Sequence, residues 1–125
     1  MKIAVMVNNL KMNPYEGFKV IAEMGVPGVH LSVGSGPFAP DALDVSARRA
    51  LVEHLKDIGL EISAVSAWGG NVDLCESEGL AGHIENAKTI LELAADLGCG
   101  IWQAHIGIMP RDASHRPGFS MKLLL

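Results

Sequence analysis

The chain predicts an α/β fold of parallel βα units, with four strands and three to four helices, because it repeats one phrase three times: an amphipathic helix closed by Gly, then a short apolar strand. The three joints are Met24-Gly25-Val26-Pro27-Gly28-Val29-His30-Leu31, Ile58-Gly59-Leu60-Glu61-Ile62-Ser63-Ala64-Val65 and Leu97-Gly98-Cys99-Gly100-Ile101-Trp102-Gln103-Ala104. With an opening strand over residues 2–7, strands and helices alternate, which is the pattern of a parallel sheet with helical crossovers. Such a cadence usually runs to eight units in a barrel or five to six in an open sheet, and here four strands are counted.

The apolar run Ile3-Ala4-Val5-Met6-Val7 reads as a strand covered on both faces. Asn13-Pro14-Tyr15-Glu16 then starts a helix, with Asn13 as N-cap, Pro14 at the first helical position and Glu16 placed for a capping box. Phe18, Ile21, Ala22 and Met24 form its apolar stripe, and Gly25 takes the left-handed C-cap position. The second strand covers residues 28–33 and leads into a loop stiffened by Pro37 and Pro40. A second helix covers residues 41–58, with Asp44 or Ser46 as N-cap and Ala47, Leu51, Leu55 and Ile58 on one face.

Strand three covers residues 61–67, and a loop rich in Gly and polar residues follows. The third helix carries a stripe of Ile84, Ala87, Leu91, Ala94 and Leu97, expected to be buried, with Glu85 and Lys88 paired on the solvent side. Strand four covers residues 101–106, and Ser120-Met121-Lys122-Leu123-Leu124-Leu125 reads as the first turn of a fourth helix cut short. The spacing of roughly 35 residues is that of the βα unit itself, since each unit buries its faces only against its neighbours.

A length of 125 residues leaves room for one domain, and 49% hydrophobic residues place the chain among well-packed globular proteins. The net charge of -4 is mild, and the ten Lys and Arg make no stripe, so a nucleic-acid partner is not expected. Cys75 and Cys99 form neither a disulfide framework nor metal-finger spacing, which points to a reducing cytoplasm. No segment approaches the ~20 apolar residues of a membrane span, and Asn8-Asn9 end the first apolar run too early for a secretory h-region, so a leader is not expected.

In parallel sheets of this kind ligands approach the carboxyl ends of the strands. The residues standing there are Asn8, Asn9, His30, Ser32, Ser66, Trp68, Asn71 and His105. His105 is the leading candidate: by the period-two rule Ile101, Gln103 and His105 share a face turned inward, while Trp102, Ala104 and Ile106 turn to the helices. A neutral imidazole there could take a metal or a sugar hydroxyl, or simply be a hydrogen-bonded structural histidine. His30 is a second candidate contact, and Trp68, opening a Gly-Gly loop, is a platform for a sugar ring or a packed rim residue. Two histidines on different strands do not make a metal site, which takes three or four protein ligands. His54 and His83 fall on helices and read as solvated surface residues, and Cys75 sits in an acidic loop that disfavours a thiolate.

Other α/β classes fail on the text. Gly34-Ser35-Gly36 lacks the third glycine of a dinucleotide fingerprint, and no phosphate-binding G-x-x-x-x-G-K-S/T run exists. A phospho-receiver domain needs acidic residues where Asn8-Asn9 stand and an Asp near Trp68-Gly69.

With these residues in view the chain resembles the amino-terminal half of the xylose isomerase-like TIM-barrel superfamily, the sugar phosphate isomerases and epimerases. The likeness runs through Met24 and the residues to Leu31, Gly59 and the residues to Val65, and above all residues 84–98 leading into Ile101-Trp102-Gln103-Ala104-His105-Ile106-Gly107-Ile108-Met109-Pro110. It implies an incomplete TIM barrel, a single partial domain over residues 1–125, whose complete form moves a proton on a sugar or related polyol with the help of a divalent metal. The carboxylates that hold the metal and move the proton belong, by the same likeness, to later strands, so no tightly bound metal is expected on this chain alone and its catalytic residues are not assigned. His105 matches a strand-four histidine facing substrate or metal, and many members carry Glu where His30 stands. Two alternatives remain: a non-catalytic half barrel that associates with itself or a second half through exposed sheet edges, and a metal-dependent endonuclease of the same barrel type, which the lack of a basic surface disfavours.

Overall fold

Strands adjacent in sequence are adjacent in space throughout the sheet. The computed structural model describes residues 3–67 and 79–105, and its four strands β1 (Ala4–Met6), β2 (Gly28–Ser32), β3 (Glu61–Ala67) and β4 (Trp102–Ala104) lie in the order β1-β2-β3-β4, all parallel. Helices α1 (Pro14–Glu23), α2 (Val45–Asp57) and α3 (Leu80–Asp96) connect them. A doubly wound sheet reverses its strand order at a switch point; this one does not. Right-handed crossovers taken in one direction stack every helix on a single face, which is the arrangement of barrel units.

The burial of β2 shows which face that is. Val29 and Leu31 are fully buried, whereas His30 and Ser32 between and beyond them are half-buried on the opposite face. Opposite them, Leu31 pairs with Val65 and Ser32 with Ser66. The core forms between the apolar face and the helices, from Phe18, Ile21, Leu51, Leu55, Ile90 and Leu93 together with Val29, Leu31 and Val65. Burying each such side chain stabilises the fold by about 1.5–3 kcal/mol. Phe38, brought in by a 3-10 turn over Gly36–Phe38, closes this core with its ring 5.8 Å from that of Phe18.

Local signals set the helix ends. The Asn13 side chain accepts the Tyr15 backbone N–H at 3.0 Å, and Asp44 accepts that of Ala47 at 2.7 Å, which selects Asp44 over Ser46 and starts α2 at Val45 rather than residue 41. Gly25 adopts φ 71° at the end of α1, a left-handed value that glycine takes without steric cost. Arg48 binds three groups at once: its Nε and Nη2 donate to the carbonyls of Leu43 and Pro40, and Nη1 meets Asp96 at the end of α3.

Several expectations are corrected. β1 ends at Met6, because Val7–Leu10 winds into a 3-10 turn that buries Val7. β2 ends at Ser32, although the Val33 N–H still donates to the Ser66 carbonyl at 2.7 Å. In α1, Met24 is exposed, lying beyond the last helical turn. In α3, Ile84 and Leu91 are exposed at 47% and 50%, and the buried face is formed by Ile90, Leu93, Ala94 and Leu97. His54 is not a solvated residue: it is half-buried, with its ring 5.4 Å from Tyr15 and 6.4 Å from Phe18. β4 begins at Trp102, and the expected fourth-helix turn at residues 120–125 lies outside the described residues.

Candidate ligand-binding face

The inner face of the sheet is assembled by register. Met6 pairs with His30 and His30 with Ala64; one layer on, Ser32 pairs with Ser66 and Ser66 with Gln103. Paired residues in a parallel ladder turn their side chains to the same side. The layer near the carboxyl ends is therefore Ser32, Ser66 and Gln103, above a layer of Met6, His30 and Ala64.

This alignment depends on a bulge. Val29 pairs with Ile62 and His30 with Ala64, so Ser63 is one residue in excess on β3. The Ser63 hydroxyl donates to the Val29 carbonyl at 3.0 Å, satisfying an acceptor at the point where the ladder is interrupted.

At the first strand end, Asn8 Oδ1 accepts the Ser32 backbone N–H at 3.1 Å, tying the turn after β1 to the end of β2. Asn8 is thus a structural latch, although both it and Asn9 are exposed. His30 is half-buried, and its Nε2 is closed off from solvent, this atom having no hydrogen-bond partner among the described residues. Burial pushes its pKa below the ordinary value of 6.5, because desolvation disfavours the charged ring. Ser66 is almost completely buried, and its Oγ likewise lacks a partner. Buried polar atoms without partners are rare in native proteins.

Gln103 and His105 are both exposed, His105 standing one residue beyond β4. Trp68, together with Asn71, Cys75 and His115, lies outside the described residues. The structure thus brings His30, Ser66 and Gln103 onto one face, with His105 at the end of the neighbouring strand. The polar layer could be read from period two on β4 alone; on β3 the bulge hides it, and pairing is needed to see that Ser66 turns inward.

A divalent metal, which the resemblance implies, is not matched by these groups. Among the described residues no three of His, Cys, Asp or Glu gather as a metal site, and the strand ends here carry no carboxylate. What the face does offer is uncharged hydrogen-bonding groups: imidazole, hydroxyl and carboxamide.

A consecutive parallel sheet with helices on one face and polar side chains on the other is the arrangement of part of a βα barrel, a class of protein in which ligands sit at the strand ends. The chain matches the xylose isomerase-like TIM barrel family over residues 18–119 and belongs to it. It is also similar in fold to a xylose isomerase domain protein from Planctomyces limnophilus, with a TM-score of 0.67 and 20% sequence identity over 90% of this chain and 44% of that one. The chain thus spans less than half the length of that protein. A search of curated proteins gave no match.

Proposed function

We propose that the inner face binds a sugar or related polyol, and that the chain is the front half of a sugar phosphate isomerase- or epimerase-like protein. The observation that carries this reading is the pair of enclosed polar atoms without a partner among the described residues, His30 Nε2 and Ser66 Oγ, on the face that also bears Gln103. Sugar hydroxyls both donate and accept, so they suit neutral groups of mixed character better than a charged cluster. In this reading His105 and Trp68 complete the contact surface, His105 through a ring nitrogen and Trp68 as a hydrophobic platform.

The complete protein would transfer a proton beside a carbonyl with a divalent metal as its partner group. In this reading the groups on this face bind and orient the substrate. A cytoplasmic setting accords with Cys99, a buried free thiol. No described helix is long and apolar enough to cross a membrane.

Titration of the isotope-labelled chain with xylose, fructose and fructose 6-phosphate, followed by NMR, tests the proposal. Perturbations concentrated at the signals of His30, Ser66, Gln103 and His105 are expected. Saturable shifts confined to the helices, or no saturable shift with any of the three, would overturn it.

A further inference from the structure

We propose that His30 and Ser66 form one subsite that takes a ligand hydroxyl in a fixed direction, the hydroxyl donating to His30 Nε2 and accepting from Ser66 Oγ, and that the subsite releases it when His30 takes up a proton. This deepens the ligand reading above and rests on it. The ladder brings the two residues together: His30 pairs with Ala64, and Ser66 stands two residues further along β3 on the same face. They are therefore diagonal neighbours on adjoining strands. Beside His30 in its own layer stand Met6 and Ala64, whose side chains offer an imidazole no N–H or O–H.

The direction follows from the enclosed atoms. A neutral imidazole carries one N–H and one bare nitrogen. His30 Nε2 is closed off without a partner among the described residues, and an N–H left unpaired inside a protein is rarer than a bare acceptor, so Nε2 accepts and the proton sits on Nδ1. Ser66 Oγ, also enclosed without a partner among those residues, has a hydrogen to give. A hydroxyl matches this pair, since it gives its hydrogen to the nitrogen and keeps lone pairs for the serine. A carbonyl or ether oxygen can accept from Ser66 but has nothing to give His30, and an ammonium group can give but not accept. The subsite thus reads a free hydroxyl of a polyol and passes over a carbonyl oxygen at the same place.

Protonation ends this arrangement. An imidazolium has two N–H groups and no acceptor, so the ligand hydroxyl loses its place on Nε2. Among the described residues the other titratable groups on this face are Glu61, which pairs with Gly28 at the start of β3, and His105 beyond β4. β1 and the 3-10 turn after it bring no titratable side chain, and Lys11, next in the chain, is exposed. Burial lowers the His30 pKa, which extends the pH range over which the ring accepts. The ligand prefers the neutral ring, so affinity is full above the folded pKa of His30 and falls as pH drops through it.

Xylose and fructose, neither of which titrates in this range, are the probes. NMR titration at successive pH values between about 8 and 5, with the fold checked by circular dichroism at each, should give an affinity that falls about tenfold per pH unit below the His30 pKa. His30→Gln, which keeps an acceptor and loses the titrating ring, should bind up to about tenfold more weakly and equally at every pH. Ser66→Ala should lose about tenfold and keep the wild-type pH dependence. Nitrogen NMR of the imidazole should find the proton on Nδ1 in the free protein at about pH 8. Binding that ignores pH, a decline that persists in His30→Gln, or a proton on Nε2 would overturn the inference and leave the ligand reading standing. Absence of saturable binding with both sugars would overturn the two together.

Discussion

Arg48 meets Asp96 at 2.7 Å, joining the start of α2 to the end of α3, while the same guanidinium holds the carbonyls of Pro40 and Leu43. The arginine side chain is only 16% exposed and the aspartate 48%, so the two partners are not equivalent. Arg48→Ala removes donors from two carbonyls as well as the ion pair and is expected to cost about 2–3 kcal/mol. Asp96→Asn, on the wetter side, should cost less than about 1 kcal/mol. Urea denaturation of both variants checks the order.

Gly17 and Gly82 both lie in helices but in different surroundings. A Cβ on Gly17 would come within 2.8 Å of Val7 Cγ2 and 3.3 Å of Leu10 Cδ1, whereas one on Gly82 would meet nothing within 4 Å. Overpacking costs about 1–3 kcal/mol against the helix gain of about 1 kcal/mol, so Gly17→Ala should destabilise. Gly82→Ala should stabilise by up to about 1 kcal/mol. Thermal melts of the two variants should move in opposite directions.

The face that α3 buries can be measured directly. Leu93 is fully buried, and Leu93→Ala is expected to cost about 2–5 kcal/mol. Leu91, half-exposed on the other side, should tolerate Lys within about 0.5 kcal/mol. Equal losses at the two positions in chemical denaturation would place the buried face wrongly.

His30 gives the fold a pH dependence of definite sign. Its folded pKa lies below the unfolded 6.5 because burial disfavours the charged ring. The unfolded chain therefore binds the proton first as pH falls. Stability is intact above 6.5, declines as pH drops from there through the lowered folded pKa, and levels off below it. His30→Gln should flatten that part of the stability profile, measured by denaturation at successive pH values.

Much of the fold is written in short-range signals. Asn13, Asp44, Gly25, Gly59 and Gly98 mark helix ends through chemistry that does not depend on distant residues, and each takes its cap or left-handed conformation. Helix α3 was harder to read because it carries two apolar stripes: Ile84, Ala87 and Leu91 on one, Ile90, Leu93 and Leu97 on the other. Periodicity finds both, and the path of the chain between β3 and β4 chooses which is covered. His54 looked like a surface residue for a related reason, since its contact with Tyr15 exists only once α1 and α2 lie side by side.

The candidate face was legible where strands are regular and obscured where they are not. His30 and Gln103 follow simple alternation along β2 and β4. Arg48 gave no sequence sign of its role, because its three partners come from a loop and a distant helix end.

Ser63 gives β3 one residue to spare. Simple alternation fails across it: Glu61 aligns with Gly28, yet Val65, four positions on, aligns with Leu31. Deleting this one serine would leave Ile62 and Ala64 opposite Val29 and His30 in a regular ladder, with Ser66 still turned to the polar side and Val65 still to the helices. The strand can therefore give up that position, and with it the hydroxyl bond to the Val29 carbonyl, and keep its polar face.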